Sequence, residues 1–206
     1  MDPNTPPAGS QDPAADAQGH RQPWTPWRRP GVKLAVLSCC DAGAPAGEVF
    51  DVAGGPVMTI RTLATTIGED VLGALEYACA MEGASVIIVM GHSRCRAITA
   101  ACDHTELGHL TGVLDRIVPA IQAIRETDPA PLPDDAFVER VTLEHTRRQA
   151  LAISERSPVL ARMLEAGALT IMVAIADSAS GAIHVSGAVA GSADPFFAAQ
   201  GAAVQH

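Results

Sequence analysis

The run Ser85–Met90, SVIIVM, constrains the fold more than any other part of the chain. A strand with one wet face alternates apolar and polar residues. Here Val86 to Met90 are apolar without a break, which requires cover on both faces and marks a central strand of a parallel sheet. Lys33–Ser38 (KLAVLS) reads as a buried strand and Val57–Arg61 as a second, and Leu169–Ala176 and Ala182–Val185 read as strands across a short turn at Ser180-Gly181. Helical spacing fills the gaps between them. Val71, Leu75 and Ala78 give Glu69–Met81 one apolar stripe, and Ala97–Cys102, Leu110–Arg125 and Ala136–Glu155 are further helices. Ser157 followed by Pro158 starts another helix, and Gly167 stops it. Alternating strands and helices predict an α/β fold, a mainly parallel central sheet flanked by helices on both faces.

The organisation is one domain with two tails. Residues 1–30 are rich in Pro, Gly, Ala, Gln and Asp, lack apolar periodicity, and read as a flexible N-terminal tail. Trp24 and Trp27, in TPWRRP, either tack that tail onto the core or contact a subunit. The domain proper is expected over 31–190, and 191–206 is a small-residue C-terminal tail. Aromatic residues make up only 3% of the chain, so Ala, Val, Ile and Leu must build the core.

A net charge of -9 with no basic face to offset it argues against nucleic acid as a partner. No apolar run approaches the ~20 residues that span a bilayer, so no membrane insertion is expected. The N-terminus has no charged region leading into an apolar stretch, hence no secretory signal is expected. Five cysteines at irregular spacing do not form a disulfide framework and suit a reducing, cytoplasmic setting. Neither a Gly-rich phosphate loop nor a Ser-His-Asp order is present.

Chemistry concentrates at two strand ends. Cys39 closes the first strand, and His92 and Cys95 follow the central one in GHSRC. Ligands of open α/β sheets collect at such carboxyl ends. Thiolate and imidazole are the ligand types zinc favours, and His-x-x-Cys lets both reach one ion from a turn. Asp41 could add a fourth, conditional oxygen ligand. Taken alone, the pattern also suits two buried thiols beside a hydrogen-bonded histidine.

The segments VLSCCDA, VIIVMGHSRCRA, ELGHL and ERSPVLARMLEAG, in that order and spacing, resemble the β class of carbonic anhydrases over roughly Lys33 to Gly187. The resemblance implies a zinc ion on Cys39, His92 and Cys95, and a homodimer or higher homo-oligomer. The implied reaction on a small-molecule substrate is hydration of carbon dioxide to bicarbonate by zinc-bound hydroxide, with Asp41 as catalytic residue.

The chain departs from the family around this pocket. The family's Cys-x-Asp-x-Arg reads Cys39-Cys40-Asp41-Ala42-Gly43 here, so the arginine that holds the aspartate off the metal is absent. A pocket glutamine corresponds to Ala53. An Arg-Asn-Ala-Gly-Asn run corresponds to Arg61-Thr62-Leu63-Ala64-Thr65, and a glycine after the second cysteine to Arg96. Arg96 or Arg94 is expected either to pair with Asp41 or a bound anion, or to point to solvent. Arg61 joins them as a pocket or pairing candidate. Three functions stay open: a zinc lyase acting on carbon dioxide, the same site acting on carbonyl sulfide, carbon disulfide or a small carboxylate, or a silent zinc protein with a structural or regulatory role. Cys40 reads as packing, as do Cys79 and Cys102. His104, His109, His145 and His184 read as surface or packing residues, and Arg147-Arg148 as a solvated helix face.

Overall fold

The computed structural model describes residues 33–43, 50, 57–127 and 134–190. The two tails, with Trp24 and Trp27, lie outside the described residues, as does Ala53. Five strands form one sheet in the order β2-β1-β3-β4-β5: β1 Leu34–Cys39, β2 Val57–Thr62, β3 Val86–His92, β4 Thr170–Ala176 and β5 Ile183–Ala190. The first four are parallel, with Leu34 level with both Val57 and Val86, and Val86 level with Thr170. Only β5 runs antiparallel, on the outer edge of β4. Every residue of β1 and of β3 is buried, which is the two-sided cover that their unbroken apolar runs demand.

The sheet splits its side chains between two clusters. Ala35, Leu37, Ile87, Val89, Ile171 and Val173 pack against helical residues such as Leu75, Ile153 and Leu160. Their alternates Leu34, Val36, Ile88, Met90 and Met172 gather with Phe50. Among the described residues no helical residue joins this second cluster, and the described helices pack against the first. Burying each such Val, Ile or Leu contributes about 1.5–3 kcal/mol.

Six α-helices are described: α1 Glu69–Glu76, which continues as a π-helical turn Tyr77–Met81, α2 Arg96–Cys102, α3 Gly108–Leu114, α4 Val118–Thr127, α5 Asp135–Arg156 and α6 Pro158–Glu165. The stretch Leu110–Arg125, read from sequence as one helix, is two. Pro119 would set its ring against the Asp115 carbonyl inside a continuous helix, and it is tolerated only in the first turn of a new one. Caps follow the sequence elsewhere. Asp134 Oδ1 accepts the Phe137 N–H at 2.7 Å, and Ser157 Oγ accepts that of Leu160 at 3.1 Å. Gly167, at φ 68°, closes α6 with bonds from its own N–H to Leu164 O and from Ala168 N–H to Met163 O.

Helix α5 lies unusually close to β3. A Cβ on Gly91 would stand 2.4 Å from Thr146 Oγ1 and 2.9 Å from Ile175 Cδ1. Only glycine permits that approach, one residue before His92. No described helix is long and apolar enough to cross a membrane.

Candidate metal centre

Strand order places the site. With β1 between β2 and β3, the chain leaves β1 toward one side and enters β3 on the other, so the carboxyl ends of β1 and β3 form a switch point open to ligands. Cys39 is the last residue of β1 and His92 the last of β3. Two residues of turn, with Arg94 at φ 55°, bring Cys95 to the N-cap of α2.

The ligand atoms of Cys39, His92 and Cys95 all lie within 4.8 Å of one another, and all three residues are buried. The two sulfurs are 3.9 Å apart and both thiols are free. Two Zn–S bonds of ~2.3 Å at a tetrahedral angle would set them about 3.8 Å apart. His92 Nδ1 faces Ser93 O at 3.1 Å and Ser178 Oγ at 3.4 Å, while its Nε2 is buried without a hydrogen-bond partner. A buried lone pair aimed at two thiols is an unexplained cost in a metal-free core and is accounted for by a metal ligand. The donor set therefore fits zinc.

Electrostatics agree. The hydrogen bond from Cys95 holds the Cys39 thiol well below its ordinary value. Burial opposes this, and contacts from His92 and from the Asp41 and Ala64 N–H groups add to it. Cys95 is pushed up, first by its bond to Cys39 and then by burial. Two sulfurs this close cannot both carry charge unaided, and a divalent cation removes that conflict.

Asp41 stands beside the triad. Its Oδ2 accepts the Arg96 backbone N–H at 3.0 Å, and its Oδ1 accepts Arg96 Nε at 2.8 Å and also Nη2. The carboxylate side chain is 9% exposed against 87% for Arg96, so a sheltered anion is held by a cation reaching in from solvent. The Arg96 side-chain bond lowers the Asp41 pKa. Gly43 contributes no side chain, and a Cβ there would meet nothing within 4 Å. Arg61 does not reach Asp41. Its Nη2 donates to the carbonyls of Cys39 and Cys40 at 3.2 Å each, and to that of Ala42, fixing the turn after β1. Arg94 lies exposed on the rim; hydrogen bonds from the Ser180 N–H and hydroxyl hold the Asp177 carboxyl low, with a smaller contribution from Arg94.

His92 sits between two spaces. On one side is an open cavity of about 580 Å³, lined by Asp41, Gly43, Arg94, Arg96 and Ser178 among others. On the other is a void of about 10 Å³ bounded by Cys39, Ala64, Cys95 and His145. His145 is buried at 1% exposure, so it is not among the surface histidines, whereas His104, His109 and His184 are exposed. Its place was recoverable from the 3–4 spacing of Val138, Val141 and His145 on α5, which puts it on the buried stripe. Cys40 corrects the reading from sequence. The strand ends at Cys39, so Cys40 turns outward and is exposed rather than packed. Cys79 and Cys102 are buried.

The sequence profile described as "Carbonic anhydrase" matches residues 34–183. The curated proteins called carbonic anhydrase 2 from Mycobacterium tuberculosis and carbonic anhydrase from Mycolicibacterium smegmatis are each 28% identical over 142 residues. Each match spans 66% of this chain and 66% of the relative, just under two thirds of the relative's length. The fold is also that of solved β-carbonic anhydrases. CafA of Aspergillus fumigatus superposes at TM-score 0.64 with 23% identity, covering 85% of this chain and 84% of that one. One of two tetrameric enzymes of Sordaria macrospora gives 0.62 and 20%, covering 75% and 80%. With the profile spanning both ligand-bearing strands and the sheet between them, the chain belongs to the carbonic anhydrase family, in its β class.

Proposed function

We propose that this chain reversibly hydrates carbon dioxide to bicarbonate, with Cys39, His92 and Cys95 holding a zinc ion. When bound, zinc supplies Lewis-acid chemistry that makes water acidic enough to act as a nucleophile near neutral pH. The observation that carries the reading is the Asp41–Arg96 clamp beside the three converging ligand atoms. Arg96 places two hydrogen bonds on Asp41 Oδ1 and one on Oδ2, so Oδ2 keeps acceptor capacity. Held this way the carboxylate is ionised and can accept a proton or orient a donor in the cavity. The same hold keeps it from swinging in as a fourth ligand and closing the site. Arg96 thus supplies, from the start of α2, what the resemblance places at position 43.

The substrate is a small molecule, and the chain works as a homo-oligomer of two or more subunits. The Sordaria relatives described as tetrameric support that assembly. Five free thiols fit a reducing, cytoplasmic setting.

The test is stopped-flow hydration of carbon dioxide on protein of measured zinc content, across pH. Turnover by the zinc-loaded wild type is expected. Arg96→Gly should keep its zinc and lose roughly one to two orders of magnitude in kcat. Adding Gly43→Arg to that variant should restore much of the loss, since a Cβ at 43 meets nothing within 4 Å and the resemblance places the arginine there. No turnover by fully zinc-loaded wild type would sink the proposal.

A further inference from the structure

The turn after β2 is built against its own conformational preference. Ala64 (φ 53°, ψ 27°) and Thr65 (φ 58°) are consecutive left-handed residues, and neither is glycine. Thr65 is β-branched, for which this region is a marked outlier. Such strain persists only where the surroundings over-determine it. The surroundings here are α5 side chains. His145 Nε2 faces Ala64 O at 2.9 Å, Gln149 Oε1 accepts the Ile67 N–H at 2.9 Å, and Arg156 Nη1 donates to Ile67 O at 2.8 Å. Gln149 and Arg156 hold residue 67. Of these three anchors His145 alone reaches Ala64.

What the strained residue delivers is a hydrogen bond. Cys39 is level with Thr62 in the β1–β2 ladder, so the turn at 63–65 lies over the Cys39 side chain. The Ala64 N–H donates to Cys39 Sγ at 3.2 Å, complementing the Asp41 N–H at 3.3 Å from the other side. These two N–H groups come from different loops. The Asp41 donor is two residues from the sulfur it serves, while the Ala64 donor depends on a left-handed backbone held from across the domain.

We infer that His145 is a positioning residue for the metal centre: it pins the left-handed Ala64 so that the Ala64 N–H stays aimed at the Cys39 sulfur. This rests on the metal reading above. His145 Nε2 faces a carbonyl oxygen and so carries the hydrogen. Nδ1 is buried with no partner, so a proton there would find no acceptor, and the ring is the neutral Nε2–H tautomer. Without that donor the Ala64 carbonyl keeps only the neighbouring Thr65 hydroxyl within its own turn. The turn then relaxes toward right-handed conformations and withdraws its N–H. A thiolate that loses a hydrogen bond becomes more electron-rich, and a ligand that loses its support is less well placed for the metal.

Three variants test this: His145→Leu, His145→Gln and His145→Asn. The readouts are zinc affinity by chelator competition and the thiolate-to-metal charge-transfer band of cobalt(II)-substituted protein. Gln sets an amide nitrogen where Nε2 stands, and Asn sets one only as far out as Nδ1. The expected result is affinity weaker by about tenfold in the Leu and Asn variants, at the low end of what outer-shell partners cost. Their cobalt band should move to longer wavelength, while the Gln variant stays within about twofold of wild type with an unmoved band. If the Leu variant does not fold, the contrast between Gln and Asn decides. Equal affinities and equal bands across the variants would overturn the role of His145 and leave the metal site standing. Failure of the wild type itself to bind zinc or cobalt would overturn both.

Discussion

Replacing Gly91 with alanine tests the packing that brings α5 to the site. The new methyl group would lie 2.4 Å from Thr146 Oγ1, 2.9 Å from Ile175 Cδ1 and 3.3 Å from Thr142 Cγ2. Carbon contacts rest at about 3.5–4.0 Å, so all three neighbours must give way. The Ile175 methyl is the end of a flexible chain and can swing. Thr146 Oγ1 cannot move freely, because it donates to Thr142 O at 2.7 Å. Overpacking costs about 1–3 kcal/mol, and a broken hydrogen bond about 1 kcal/mol more. Alanine returns about 0.4–1 kcal/mol by restricting the unfolded chain. The net is a destabilisation of about 2 kcal/mol, or a fall in Tm of roughly 4–8 °C for a domain of this size. Urea and thermal unfolding measure it. Adding Thr146→Ala removes the obstructing oxygen and should recover roughly half. A Gly91→Ala protein within 0.5 kcal/mol of wild type would refute the reasoning, since α5 would then not press on β3 as described.

Ala64→Gly removes a left-handed cost of about 1–2 kcal/mol and adds about 0.5–1 kcal/mol of chain entropy, so a gain of about 0.5 kcal/mol is expected in thermal unfolding. A lowered Tm would contradict it. Ser157→Ala should cost about 1–2 kcal/mol, because this buried hydroxyl both caps α6 and donates to Glu76 Oε1 at 2.6 Å. Urea denaturation reads that loss, and no change would show the cap to be idle. Burial pushes His145 down to about 4 from 6.5. The unfolded chain therefore binds a proton below about pH 6.5 that the folded chain refuses until about pH 4. Stability is whole above pH 6.5 and falls by roughly 3 kcal/mol as the pH drops through that window. Urea unfolding of metal-free protein at pH 7 and pH 4.5 should show this slope in wild type and a shallower one in His145→Gln. Equal slopes would mean that His145 titrates normally.

The parallel core was readable because it depends on short-range pattern: Val86–Met90 can be covered only from both sides. Hydropathy placed Cys39 and His92 at strand ends, but the grouping of Cys39, His92 and Cys95 as one ligand set came from the resemblance, since the bare pattern also suits buried thiols. The break at Asp115–Ile117 was readable too, from Pro119, but a long apolar periodicity masked it. What the sequence left open is long-range. Asp41 and Arg96 are 55 residues apart, and no spacing rule joins a residue after β1 to one after β3 until the strand order is known. Likewise His145 announces burial by its place on the α5 stripe, but not that its ring reaches Ala64, 81 residues earlier. Ala64 and Thr65 give no left-handed signal by their own residue types; the only hint is that the resemblance sets glycine and asparagine, the residues that favour this backbone, opposite them.

Arg96 occupies a position that its own helix disfavours, which explains why it and Asp41 come as a pair. The start of α2 presents unpaired N–H groups and the positive end of the helix dipole, and a cation at its first residue is repelled. Its N-cap residue, Cys95, makes no side-chain capping bond. Asp41 meets both needs. One oxygen takes the orphaned Arg96 N–H, acting as a cap supplied from another strand, and the other takes the guanidinium. An anion at this spot therefore stabilises the helix that carries Cys95 and neutralises the cation that follows it. The clamp also ties the turn after β1 to the turn after β3, the two segments that carry the ligands. A guanidinium at position 43 would hold the carboxylate from within its own turn and leave those segments joined through the sheet and the Arg96 N–H alone. Drawing the cation from α2 makes the geometry of Asp41 depend on the same helix start that places Cys95.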